Sequence, residues 1–147
     1  MSNLSAFLNP VTMLDTQEIV ISNRFVQRTD KGEAVLDEAG KPVPVPFKIR
    51  AITQEENEAI AKRSYAAKMV DGKRVEEFDH RTYSRRIVVA ATVEPDFANV
   101  DLCAKFGVKD PELVPGKMLY SGEFSKLFNA IEKLSGFGDN LNEAAKN

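Results

Sequence analysis

The chain holds one cysteine, one histidine and no tryptophan among its 147 residues, and each scarcity excludes a class of chemistry. With Cys103 alone there is neither an internal disulfide nor a cysteine-built zinc site, which suits a reducing cytoplasm. Cys103 stands among Leu102, Ala104 and Phe106 and reads as a small buried apolar residue. His80 has no partner for a catalytic triad and reads as an exposed residue at a helix start. Carboxylates are scattered, without the D-x-D spacing of a metal site. Gly32, Gly40 and Gly72 are isolated, so no loop cradles a phosphate. Asp71 to Phe78 lacks the alternating oxygen ligands of a calcium loop. Basic and acidic residues nearly cancel, at 20 and 22, so no global field points to nucleic acid or an anionic membrane. No run reaches the roughly 20 apolar residues that span a bilayer. The opening MSNLSAFLNPVTML has neither the basic nor the apolar region of a secretion signal, so the protein is expected to stay where it is made. No catalytic residue, cofactor or metal is expected.

What is present is the composition of a soluble globular domain, 43% hydrophobic and 29% charged. The organising stretch is Tyr83 to Phe106, which holds the longest apolar run, Ile87 to Val93, and stops at Glu94-Pro95. Tyr83, Ile87, Ala90 and Ala91 fall at helical spacing, while the β-branched Ile87-Val88-Val89 would equally suit a buried strand. The two alanines and the polar turn before Tyr83 favour a helix.

The spacing predicts an α+β fold: a mainly helical domain with an N-terminal antiparallel β-hairpin on or beside a small helical bundle. Residues 1–15 form an arm with Leu4, Phe7, Leu8 and Val11 as apolar anchors, 16–52 the hairpin, 53–136 the helical part and 137–147 a flexible tail. In the hairpin, Glu18 to Val26 and Phe47 to Ile52 are the strands and 29–41 the tip, and Pro44 and Pro46 rule out a central strand between. Thr53 and Glu56 form a capping box for a helix running to about Met69, with Ala59, Ile60, Ala66, Ala67 and Val70 inward and Asp71-Gly72-Lys73 as its stop. Arg74 to Phe78 reads as a charged connector. Asn99 caps a short helix that Gly107 closes, and Asp110-Pro111-Glu112 starts another that Pro115-Gly116 ends quickly. Ser121 is the expected cap of the last helix, whose stripe is Phe124, Leu127, Phe128, Ile131 and Leu134, with Gly136 as the stop.

Arg81, Arg85 and Arg86 make a local basic face. It can be a solvated helix surface or a docking face for an acidic protein segment or a phosphate backbone. Phe124 and Phe128 suit a core stripe or a groove for a partner helix.

Several spaced runs resemble the tail assembly chaperones of contractile-tailed phages and of Bacillus-type defective prophages. They are Ile87 to Phe97, Asp101-Leu102, Phe106 to Pro111, Leu119 to Glu123 and Leu134 to Phe137, with Leu4 to Leu8 and Pro46 to Thr53 in the first half. The resemblance implies a protein that is not an enzyme. It implies binding of the tape-measure protein in the host cytoplasm, keeping that client soluble while the tail tube polymerises, and absence from the finished virion. The tail-tube protein and a second copy of the chain are further expected partners, and a longer frameshifted product is a family habit. No shared catalytic residues come with it. The contact residues expected here are Phe7, Arg81, Arg85 and Arg86. The alternatives are a tail or baseplate component retained in the virion and, disfavoured by the net charge of -2, a nucleic-acid-binding regulator.

Overall fold

The structure, a computed structural model, describes residues 3–11 and 16–137. Helices and small antiparallel sheets alternate along the chain, so the α+β expectation holds. The elements are α1 (Leu4–Leu8), β1 (Thr16–Ile19), β2 (Phe47–Arg50), α2 (Gln54–Lys62), β3 (Tyr65–Val70), β4 (Lys73–Phe78), α3 (His80–Ala91) and β5 (Thr92–Glu94). They continue with α4 (Val100–Lys105), a 3-10 turn (Pro111–Leu113), α5 (Val114–Met118) and α6 (Ser121–Leu134).

The organising stretch is a helix, and then briefly a strand. Asp79 caps α3 by accepting from the N–H groups of Arg81 and Thr82 at 3.0 and 3.3 Å. Ile87, Val88 and Ala91 are buried, with Tyr83 and Ala90 at the margin of the core. At Thr92 the backbone turns extended, and its hydroxyl donates back to the Val88 carbonyl at 2.6 Å. Thr92–Glu94 then pairs with β2, so one apolar run supplies both the central helix and a sheet edge. The β-branched Ile87-Val88-Val89, which would equally have suited a strand, is helical, and the strand begins only at Thr92.

β2 lies between β1 and β5, antiparallel to each. The period of two sends Phe47 and Ile49 into the core and Lys48 and Arg50 to the other face. That inner face meets α6, whose Leu127 and Ile131 are buried, and α6 in turn lies on α3. The expected hairpin is therefore real, but its regular pairing is confined to Thr16–Ile19 against Phe47–Arg50. Beyond it, residues 24–45 are joined by the isolated bridges Val26 to Pro44, Arg28 to Ala34 and Leu36 to Pro42. Pro42 and Pro44 lack the donors that would continue a ladder.

Three expectations are corrected. The capping box of Thr53 and Glu56 forms, but α2 ends at Lys62, and 65–78, expected as helix plus connector, is a second hairpin, β3–β4. Asp71 and Gly72 both have positive φ, 51° and 75°, the two-residue turn that matches strand twist. Of the expected inner face only Ile60 is buried, and Ala66, Ala67 and Val70 are exposed strand residues. Buried Ser64 closes the base, its carbonyl accepting from the Asp79 N–H at 2.7 Å. Pro115-Gly116 does not end a helix: Pro115 sits in the first turn of α5, where no donor is needed, and the helix runs to Met118. Tyr120, not Ser121, is the N-cap of α6, because the Glu123 carboxylate takes the Tyr120 N–H at 2.8 Å. Asn99 caps α4 as expected, accepting from Leu102 at 3.1 Å, and Cys103 is buried. Of the expected tail only Phe137 is described, and 138–147 lie outside the described residues.

Candidate partner-binding site

The first turns of α3 face α5 and the start of α6 across an open cleft of about 700 Å3. One wall carries Arg81 and Arg85, which the i, i+4 spacing places on one face of α3. The other wall is Pro115 and Gly116, and the floor is Leu119 and Phe124, with the hydroxyls of Ser121 and Ser125 beside them. Arg81 is exposed. Arg85 is half-buried: its Nη2 donates to Thr82 Oγ1 at 3.2 Å, while its Nε is buried with no hydrogen-bond partner among the described residues. A buried guanidinium N–H without an acceptor is unfavourable until something supplies one. Asp79 faces it with its charge but makes no hydrogen bond to it, and the carboxyl accepts instead from the Arg81 and Thr82 N–H groups and the Thr82 hydroxyl. The Thr82 hydroxyl and the two N–H groups hold that carboxyl below the usual carboxylate range.

Arg86 turns away from this cleft. Its Nε donates to both carboxylate oxygens of Glu112 at 3.1 and 3.2 Å, and its Nη1 donates to the Arg63 carbonyl. It thereby ties α3 to the 3-10 turn and to the end of α2. Phe7 lies elsewhere, on α1, with 79% of its surface exposed. His80, at the rim, stands edge-on to Phe78 at 4.8 Å between centroids, and Phe78 also meets Tyr65 and Tyr83. Among the described residues no group of three or more His, Cys, Asp or Glu could hold a metal ion, and no helix is long and apolar enough to cross a membrane.

A second polar knot has no signal in the sequence. Arg24 lies over the Tyr120 ring at 4.0 Å and donates through Nε to Glu123 at 3.0 Å and through Nη2 to the Met118 carbonyl at 2.9 Å. The Arg24 guanidinium holds the Glu123 carboxyl at about 2. This knot binds the loop after β1 to the end of α5 and the start of α6, and so supports the cleft floor.

The comparisons with known proteins agree with this architecture. Residues 4–147 match the family described as phage XkdN-like tail assembly chaperone protein, TAC. The chain belongs to that family. The tail assembly chaperone is 34% identical, over 99% of its own length and 93% of the relative's, to the uncharacterised protein YqbN of Bacillus subtilis strain 168. A crystal structure of the protein YqbN is similar in fold, with TM-score 0.64 and 28% identity, covering 93% of this chain and 98% of that one. The family is one of chaperones rather than of enzymes, and its class implies phage tail proteins as partners.

Proposed function

We propose that this tail assembly chaperone binds the tape-measure protein in the host cytoplasm, keeps it soluble while the tail tube polymerises, and is absent from the finished virion. The observation that supports the reading best is the cleft beside α3. It combines an apolar floor of Leu119 and Phe124 with a cationic wall of Arg81 and Arg85, whose Nε lacks an acceptor. An amphipathic client helix fits such a site, with apolar side chains on the floor and a carboxylate on the arginine wall. Phe7 and its neighbours on α1 offer a further apolar contact for the client or for the tail-tube protein. Arg86 contributes by holding α3 against Glu112, which sets the position of Arg81 and Arg85.

Co-expression with the tape-measure protein encoded by the same phage tests this. The wild-type chaperone should keep the client in the soluble fraction, and purified virions should lack it. Arg81→Glu combined with Arg85→Glu should lower recovery of soluble client by about tenfold, the loss of one or two charge-assisted bonds. Unchanged recovery would remove the cleft from the proposal. An insoluble client, with this chain retained in purified tails, would point instead to a structural tail component.

A further inference from the structure

The outer edge of β4 is a free strand edge. Among the described residues β3 and β4 pair only with each other, and Lys73 to Glu77 are all exposed. Such an edge presents unpaired N–H and C=O groups. Which residues present them follows from the turn. Val70 and Lys73 flank a two-residue loop, so that pair exchanges both its backbone hydrogen bonds. Alternation then directs the backbone groups of Lys73, Val75 and Glu77 toward β3, and those of Arg74 and Glu76 outward.

The side chains along this edge read Lys73, Arg74, Val75, Glu76, Glu77: two cations, a valine and two carboxylates. The charge inverts about Val75. A second copy running antiparallel, with its Val75 opposite this one, brings Arg74 opposite Glu76 and Lys73 opposite Glu77, each twice by symmetry. The same register places the outward backbone groups of Arg74 opposite those of Glu76, as an antiparallel ladder requires. A slip of one position mismatches the backbone groups. A shift of two positions in either direction sets Arg74 against Arg74 or Glu76 against Glu76, and like charges directly opposite repel. The outer edge of β3 has no comparable pattern, since Lys68 is the one charge in Tyr65–Val70.

We propose that β4 is a self-recognition strand. Two copies of this chain join edge to edge about a two-fold axis at Val75, forming a four-stranded antiparallel sheet, β3-β4-β4-β3. A two-stranded hairpin alone is marginal in water, and the second hairpin doubles its strand count. Glu77, already 3.6 Å from Lys68 of its own β3, then lies between two ammonium groups. The contact is one pair of strands wide, so the dimer is weak and forms reversibly with concentration.

Sedimentation velocity across a concentration series tests the register. Wild-type protein should show a monomer–dimer equilibrium. Arg74→Glu and Glu76→Arg, made separately, should each weaken the dimer at least about tenfold, because each sets like charges opposite. An equimolar mixture of the two variants should restore dimer, since Glu at 74 then meets Arg at 76. Neither change meets a charge across its own hairpin, where Arg74 faces Met69 and Glu76 faces Ala67. Melting curves check that each variant is folded. Wild type that stays monomeric throughout, a dimer unaffected by both changes, or a mixture that stays monomeric would each overturn the proposal.

Discussion

Two strands of this protein, β2 and β3, both place apolar residues two apart and have opposite fates. β2 alternates Phe47 and Ile49 with charged residues, and β3 alternates Tyr65, Ala67 and Met69 with Ala66, Lys68 and Val70. Phe47 and Ile49 are buried, whereas every residue of β3 is exposed. The difference lies in what stands behind each strand. β2 is flanked by β1 and β5 and covered by α6, while β3 has β4 as its one strand neighbour among the described residues and stays exposed. Residues two apart share a strand face, then, but burial depends on the layer that the topology brings to that face. In one region apolar surface holds the fold together. In the other it remains available for contact.

That division is broken most severely if stability does not reside in the α3–α6–β2 layer. Leu127, 0% exposed, sits at its centre. Leu127→Ala removes a fully packed side chain and leaves a cavity, a loss of about 2–5 kcal/mol. In a domain of this size that corresponds to a melting temperature lower by about 5–15 °C, measured by circular dichroism. A loss no larger than that of an exposed hairpin residue would show that the buried layer is not what limits stability.

How far the sequence disclosed this division depends on the range over which each element is decided. α3 and α6 were legible because a stripe at helical spacing is local, as are the caps at Thr53 and Asn99. The strand β5 was not, because Thr92–Glu94 becomes a strand only where β2 offers a free edge, across a long stretch of chain. The hairpin β3–β4 was missed for a different reason. Asp71-Gly72 serves equally as a helix stop and as a two-residue turn, and Ala66-Ala67 tips local propensity toward helix. The register with Lys73–Phe78 overrides that preference. For the candidate site, the Arg81 and Arg85 face was legible, but its opposite wall comes from α5 and α6, and Arg86 faces Glu112 instead. The family resemblance held over nearly the whole chain, and its runs include Phe47, Ile49, Ile87, Val88, Ala91 and Phe97 of the core.

The Arg24–Glu123 knot should give an intermediate effect, and one that depends on pH. Glu123 is held at about 2, below the ordinary 4.5, so its ionised form is stabilised by folding. The contribution is complete above about pH 4.5 and fades as pH falls toward about 2. Glu123→Gln removes the charge while keeping an acceptor for the Tyr120 N–H. At neutral pH the variant should melt about 2–4 °C lower, a modest figure because the pair is partly screened by solvent. The wild-type and variant curves should converge near pH 2. A difference that persisted unchanged into acid would mean that packing, not charge, ties Arg24 to α6.

The smallest stability effect belongs to the hairpin, and it bears most directly on the comparison. Met69 is 67% exposed and lies opposite Arg74 near the turn, so its truncation leaves no cavity. Met69→Ala should shift the melting temperature by no more than about 1–2 °C, within the usual range for a surface change. Hydrogen exchange should agree, with amides of β3 and β4 exchanging well before those of Val88 and Leu127, because a lone hairpin opens without the core. The amides of Arg74 and Glu76 carry additional information, for they point away from β3. If β4 pairs with a second copy, these two should gain protection as protein concentration rises, while that of Val88 stays constant. Protection of β3 and β4 equal to the core even at high dilution would mean that the hairpin is packed within one chain, and that the two regions are not distinct.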